Sequence, residues 1–136
     1  MAVSVLVDAG FLVALLNRRD EHHPWAAAQA ERFPPPWATC EAALSECFYL
    51  LTPAGAPALI ALLSRRSVTP ALDLGRHLRP VLSFLQKYAD VPISLADACL
   101  VRMSETLGES VLLTTHGDFR IYRRHGRQVI PCVMPD

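Results

Sequence analysis

Four carboxylates in this chain each lie inside an apolar segment or directly after one. They are Asp8, Glu46, Asp97 and Asp118. A carboxylate among apolar side chains is costly to bury unless something offsets its charge. Carboxylate oxygens are also the ligands that Mg²⁺ and Mn²⁺ prefer. If the fold brings these four side chains together, they indicate a site for a divalent cation.

A cation held by carboxylates performs a limited range of chemistry. It can polarise a phosphoryl oxygen and generate hydroxide from bound water, so no protein nucleophile is needed. Without a cation the clustered acids would repel one another, and some would take up protons. The four acids therefore favour hydrolysis of a phosphodiester bond by metal-activated water.

Each acid also has an ordinary structural interpretation when it is taken alone. A carboxylate near the start of a helix is favoured by the helix dipole and can cap the first turn. This applies to Asp8, to Asp97 and to Asp118 before a turn at Arg120. Glu46 could lie on a solvated helix face or pair with an arginine. The argument for a metal site depends on the four acids converging.

The bulk composition is that of a compact globular domain. The chain has 136 residues, 51% of them hydrophobic, and its formal net charge is zero. A neutral chain does not adhere broadly to nucleic acid or membrane by charge, so a nucleic-acid partner would need a local basic patch. The sequence contains no apolar stretch of membrane-spanning length. Residues 1–3 carry no basic flank, which argues against a signal peptide and predicts a cytoplasmic protein.

The four cysteines are not spaced like a metal site. They are Cys40, Cys47, Cys99 and Cys132, with no C-x-x-C pair among them. In a reducing cytoplasm, cysteines with mostly apolar neighbours are expected to be small core residues. We therefore expect neither a zinc site nor a disulfide.

Hydrophobic periodicity and turn residues predict strands that alternate with helices. The predicted strands cover residues 3–8, 37–39, 68–72, 111–114 and 129–130. The predicted helices cover residues 11–16, 41–51, 58–64, 78–89 and 95–107, with a further helix between Asp20 and Pro34 and a short helical turn at 120–124. The residues predicted to cap helices are Asp20, Thr39 and Ser94.

This alternation predicts an α/β fold in a single domain over residues 1–136. Its parallel sheet would be covered by helices on both faces. Ligands of such sheets sit beyond the carboxyl ends of the strands. Asp8 ends the first strand, Asp118 follows the strand at 111–114, and the other two acids lie in helices packed on the sheet. All four acids can therefore meet at one edge.

The ordered motifs resemble those of the PIN-domain ribonucleases, in particular the VapC-like toxins of toxin–antitoxin pairs. The resemblance covers about residues 3–131. It rests on Val5-Leu6-Val7-Asp8-Ala9-Gly10-Phe11-Leu12, Asp20-Glu21-His22-His23-Pro24-Trp25, Ser45-Glu46-Cys47, Leu95-Ala96-Asp97-Ala98 and Leu113-Thr114-Thr115…Asp118-Phe119. Each motif is short, and their order along the chain makes the set specific.

The resemblance implies a three-layer α/β/α sandwich with a central, mostly parallel sheet. It also implies an endoribonuclease dependent on Mg²⁺ or Mn²⁺, a small antitoxin partner and a homodimer. By position, the family acids fall on Asp8, Glu46 and Asp97. The family often has a further aspartate directly after the threonine of the strand, where this chain has Thr115 or His116. Either Asp118 takes that role, or the site has three acids with Thr114 or Thr115.

The densest basic run follows the last of these acids. Arg120, Arg123 and Arg124 could contact RNA phosphates, and such contacts would position RNA without reading its sequence. The alternative is a solvated turn in which one arginine pairs with an acid. His22 and His23 lack the spacing of helical zinc ligands and are expected to be surface or packing residues.

Three other functions compete with the nuclease. A degenerate PIN-like domain would bind RNA or a protein without cutting, and the absent acid at 115 or 116 motivates this alternative. A haloacid-dehalogenase-like phosphatase is disfavoured because Gly10 occupies the place of its second aspartate. A Walker-type NTPase is disfavoured because the chain has no Gly-rich loop ending in Gly-Lys-Ser/Thr.

Overall fold

A central parallel sheet organises the chain. The computed structural model describes residues 3–136, so the expectation about a signal peptide at Met1 and Ala2 lies partly outside the described residues. The five strands of the sheet lie in the order β3-β2-β1-β4-β7, and all of them are parallel. Their bounds are β1 Ser4–Val7, β2 Trp37–Thr39, β3 Val68–Pro70, β4 Ser110–Leu113 and β7 Cys132–Val133. A hairpin beside the sheet consists of β5 Arg123–Arg124 and β6 Gln128–Val129.

Helices follow the strands and cover the sheet. Their bounds are α1 Ala9–Leu16, α2 His23–Arg32, α3 Glu41–Leu50, α4 Ala56–Ser64, α5 Leu78–Lys87 and α6 Leu95–Thr106. Two short 3₁₀ helices cover Leu74–His77 and Gly117–Arg120. Pro24 lies in the first turn of α2, where its missing N–H costs nothing. In the described part of the chain, no helix is long and apolar enough to cross a membrane.

Successive side chains along the strands point to opposite faces of the sheet, and each face has its own hydrophobic core. Leu6 and Leu112 point to one face of the sheet, where α5 and α6 pack. Val7 and Leu113 point to the other face, where α1 and α4 pack with much of α2 and α3. Because apolar side chains project from both faces, the sheet has to be covered on both sides. The predicted three-layer α/β/α sandwich with a mostly parallel sheet is confirmed.

The central strands bring their carboxyl ends to the same level. β1 pairs with β4 in register from Ser4 opposite Ser110 to Val7 opposite Leu113. The residues that follow, Asp8 and Thr114, therefore emerge side by side at one edge. On the other side of β1, the buried Thr39 hydroxyl at the end of β2 donates a 2.7 Å hydrogen bond to the Val7 carbonyl.

Two predicted caps are wrong. Asp20 does not cap α2, since the helix begins at His23, and its side chain instead accepts a 2.9 Å bond from the His22 backbone N–H. Thr39 does not cap α3, because its hydroxyl is used between strands and Cys40 holds the cap position. Ser94 caps α6 as predicted, and its hydroxyl accepts a 3.0 Å bond from the Asp97 N–H.

The C-terminal segment differs most from expectation. A helical turn was expected at 120–124, but the 3₁₀ turn ends at Arg120 and the chain then enters the hairpin. Tyr122 is buried and packs this segment against the core. His125 and Gly126 have positive φ angles and form the turn of the hairpin. The predicted strand at 129–130 overlaps β6 of the hairpin, whereas the last strand of the main sheet, β7, follows it at Cys132–Val133.

The cysteines are packing residues, as predicted. Three of them are buried and Cys132 is half-buried, and all four are free thiols. Cys40 and Cys99 belong to one hydrophobic core, and Cys47 belongs to the other.

The hydrogen bond from the Thr39 hydroxyl is predicted to stabilise the carboxyl ends of β1 and β2. Thr39→Val keeps the shape of the side chain but removes the hydrogen bond to the Val7 carbonyl. We expect a loss of about 1–2 kcal/mol in the free energy of unfolding, measured by urea denaturation. The control is Thr52→Val at an exposed position, which should change stability by less than about 0.5 kcal/mol. Equal effects from the two variants would contradict this role of the hydroxyl.

Candidate active site

Asp8 is the most deeply buried acid of the site, with 6% of the residue exposed. It ends β1 and caps α1, and its Oδ1 accepts a 2.8 Å hydrogen bond from the Phe11 N–H. Its Oδ2 accepts a hydrogen bond from the hydroxyl of Thr114, which follows β4. The capping role and the site role expected of Asp8 are therefore compatible, because the cap holds the carboxylate at the edge of the sheet.

Thr114 connects Asp8 to the next segment of chain. Its hydroxyl donates to Asp8 and accepts a 2.8 Å bond from the His116 backbone N–H. Thr114 is completely buried. The hydroxyl therefore has a fixed direction, and it ties the backbone of His116 to the same edge.

Asp97 approaches from the other side, in the first turn of α6. Its backbone N–H is bonded to the Ser94 hydroxyl, and its Oδ2 lies 3.3 Å from the hydroxyl of Tyr122. That tyrosine is buried, and its hydroxyl also lies 3.0 Å from the Pro92 carbonyl. Helix geometry and an aromatic side chain together orient this carboxylate.

His116 lies between two of the acids. Its Nε2 is 3.3 Å from Asp97 Oδ2 and 3.5 Å from Asp118 Oδ2. Asp118 lies in the 3₁₀ turn after β4. The side chain of Asp97 is 14% exposed and that of Asp118 is 35% exposed, so both carboxylates are reachable from solvent.

All four predicted acids line one cleft of about 520 Å³. Thr115 and His116 also line it, while Thr114 lies beneath it through its bond to Asp8. Glu46 is exposed and forms part of the wall contributed by α3. Gly10 forms the floor, where a Cβ would collide with the Thr115 hydroxyl.

The three arginines lie outside the lining of the cleft. Arg123 donates from Nη1 to the carbonyls of Arg120, Ile121 and Tyr122, at 2.6, 3.0 and 3.1 Å. Arg124 donates from Nη1 to the Ser104 carbonyl at 3.1 Å. These two arginines hold the hairpin against the domain, whereas the side chain of Arg120 is exposed.

The two histidines before Trp25 have surface and packing roles, as predicted. His22 Nε2 lies 3.5 Å from the carboxylate of the neighbouring Glu21. His23 Nδ1 lies 2.9 Å from the Ala14 carbonyl and joins α2 to α1. Neither residue lines the cleft.

Burial sets the electrostatics of the site. It raises the pKa of Asp8 to about 6, against the lowering effect of the hydrogen bonds from Thr114 and Phe11, and the negative charge of Asp97 raises it further. Burial also raises the pKa of Asp97, while the nearby His116 lowers it. A cation in the cleft would favour the ionised form of both carboxylates.

The chemistry of the donors fits a divalent cation. Acidic side chains from four separate segments line one cleft, and burial raises the pKa of two of them, Asp8 and Asp97, so a cation would favour their ionised forms. Within residues 3–136, no three acidic, histidine or cysteine side chains are already arranged as a complete metal centre. Side-chain movements would therefore accompany binding.

Comparison with known families agrees with the fold. The model of the PIN domain matches residues 5–124. The chain belongs to the PIN domain family.

Among solved structures, one similar protein is VapC20 of Mycobacterium tuberculosis, described as a sarcin–ricin loop cleaving toxin. The two chains are 25% identical with a TM-score of 0.68, and the match covers 85% of this chain and 92% of the other. No curated protein sequence matches this chain.

Two residues of the site were missed by sequence reasoning. Tyr122 was hidden inside an arginine-rich run, and only its aromatic character marked it as a possible core residue. The resemblance puts Thr115 or His116 at the place of a family acid, but it does not indicate His116 as a partner of Asp97 or Asp118. Its position two residues after Thr114 was the available signal.

The raised pKa of Asp8 predicts how stability depends on pH. Because the folded-state value of about 6 lies above the ordinary value of 3.8, the folded protein loses stability as pH rises through this window. Asp8→Asn removes the charge and retains a capping side chain. In EDTA, we expect the variant to match the wild type near pH 4 and to be more stable by on the order of 3 kcal/mol at pH 7, as measured by urea denaturation.

The control is Asp73→Asn, because Asp73 also caps a helical turn but its carboxylate is exposed. The difference in free energy of unfolding between Asp73→Asn and the wild type should not increase from pH 4 to 7 as it does for Asp8→Asn. A constant difference between Asp8→Asn and the wild type from pH 4 to 7 would contradict the burial of an ionised Asp8.

Proposed function

We propose that this protein is an endoribonuclease that hydrolyses RNA phosphodiester bonds with Mg²⁺ or Mn²⁺. The observation that carries the proposal is the buried carboxylate of Asp8, which faces the same cleft as Asp97, Glu46 and Asp118. Membership of the PIN domain family and the similarity to the toxin VapC20 support it. The degenerate alternative, a domain that binds without cutting, rests on the absence of an acid at 115 or 116.

The residues of this chain would have distinct tasks. Asp8 and Asp97 would hold the cation, with Glu46 and Asp118 completing the set directly or through water. The cation supplies activation of water and stabilisation of charge on the phosphate. Thr114 and the Phe11 N–H keep Asp8 in place, while Tyr122 and Ser94 orient Asp97. Preorganised ligands of this kind lower the cost of assembling the site.

We propose Arg120 as the contact to an RNA phosphate. It is exposed, and it lies two residues after Asp118 at the edge of the site. The backbone contacts of Arg123 and Arg124 make these arginines less available, although each has further N–H groups. Thr115 lines the cleft and would contribute a hydroxyl to substrate or to metal-bound water.

A small antitoxin and a second copy of the chain are the proposed protein partners. Apolar side chains are exposed at the end of α3 and on α4, where Tyr49 is 87% exposed and Ile60 is 54% exposed. Because exposed apolar patches are typical of protein interfaces, we propose these side chains as contacts to a partner. We further propose that the protein acts in the cytoplasm, where its RNA substrate occurs.

The test is cleavage of RNA by the purified protein. We expect cleavage in Mg²⁺ or Mn²⁺, none in EDTA, and a loss of about 100-fold or more in rate for Asp97→Asn. The substrates are an RNA containing the sarcin–ricin loop and an unrelated hairpin. Asp73→Asn, at an exposed carboxylate outside the cleft, is the control and should cleave like the wild type. Cleavage that persists in EDTA or in Asp97→Asn would overturn the proposed mechanism.

A further inference from the structure

Among the described residues 3–136, His116 is the one basic side chain that lines the acidic cleft. Its side chain is 43% exposed, and two contacts hold its backbone and its ring. Its backbone N–H is bonded to Thr114, the same residue that bonds to Asp8. Its ring packs edge-on against buried Phe119, with the ring centres 5.9 Å apart and the planes at 89°.

The ring nitrogen and the two carboxylates are spaced like neighbouring ligands. Nε2 lies 3.3 Å from Asp97 Oδ2 and 3.5 Å from Asp118 Oδ2. Both distances exceed the usual range of about 2.7–3.2 Å for an N–H···O hydrogen bond. Neighbouring ligand atoms around a small octahedral cation are roughly 3 Å apart. A modest contraction would therefore place the imidazole and both acids around one ion.

We propose that His116 contributes an imidazole ligand to the cation of the cleft, which makes this a mixed nitrogen–oxygen site that prefers Mn²⁺ to Mg²⁺. This inference rests on the proposed function, because it concerns the cation of the same site. Imidazole binds first-row transition metals well, whereas Mg²⁺ prefers carboxylate, carbonyl and water oxygens. Of the two residues that the resemblance places where the family often has an acid, Thr115 and His116, the second is a nitrogen donor, and the cation preference should follow.

Calorimetry and electron paramagnetic resonance test the proposal without measuring activity. Mg²⁺ and Mn²⁺ are titrated into the wild type, His116→Gln and His116→Asp. We expect the wild type to bind Mn²⁺ at least about tenfold more tightly than Mg²⁺. His116→Gln should lose most of that preference, and His116→Asp should bind both ions with little preference. Bound Mn²⁺ should show hyperfine coupling to an imidazole nitrogen in the wild type and not in either variant.

His22→Gln is the matched control for these titrations. His22 is also within 3.5 Å of a carboxylate and has a similar exposure, but it lies outside the cleft. This variant should keep both the Mn²⁺ preference and the nitrogen coupling. A stable fold of every variant is checked by thermal denaturation before titration.

The possible failures are distinguishable. If Mn²⁺ binds the wild type without nitrogen coupling, or binds His116→Gln equally well or more tightly, the imidazole ligand is overturned while the metal-dependent nuclease stands. If neither ion binds the wild type at millimolar concentration, both this inference and the metal dependence of the proposed function are overturned.

Discussion

The buried carboxylate of Asp8 is the constraint on which the rest of this structure depends. Its two oxygens accept hydrogen bonds from the start of α1 and from the residue that follows β4. These bonds satisfy the group, but burial still makes its negative charge costly. The cation that we propose for the same edge of the sheet would offset this charge.

Residues behind the cleft wall keep Asp97 and its neighbours near the Asp8 carboxylate. Asp97 is fixed by the first turn of α6 and by the buried Tyr122, which itself packs against Phe119 and Tyr88. The same aromatic group supports His116 through Phe119. The segment after β4 therefore serves both as core and as the wall of the cleft. The segment after β4 has many polar residues, but it is well packed because Phe119 and Tyr122 are buried in the core.

The architecture, and the position of the four acids on their elements, were predictable from the sequence because their signals are local. The apolar run before Asp8 and the cap at Ser94 each depend on neighbouring residues, and both were assigned correctly. Thr39 was assigned wrongly because its hydroxyl bonds across strands to Val7, a partner far away in sequence. The hairpin at 123–129 was missed because burial of Tyr122 overrides the helical appearance of the segment. The contacts of His116 with Asp97 and Asp118 depend on where α6 packs, which no local pattern records.

The central claim is that the cleft beside Asp8 binds a divalent cation. The most direct measurement is a crystal structure of the protein soaked in Mn²⁺, with the ion located by anomalous scattering. We expect an ion in the cleft with oxygens of Asp8 and Asp97 within about 2.0–2.6 Å. A structure at saturating Mn²⁺ with no ion in the cleft, or with ions bound only elsewhere, would contradict the account.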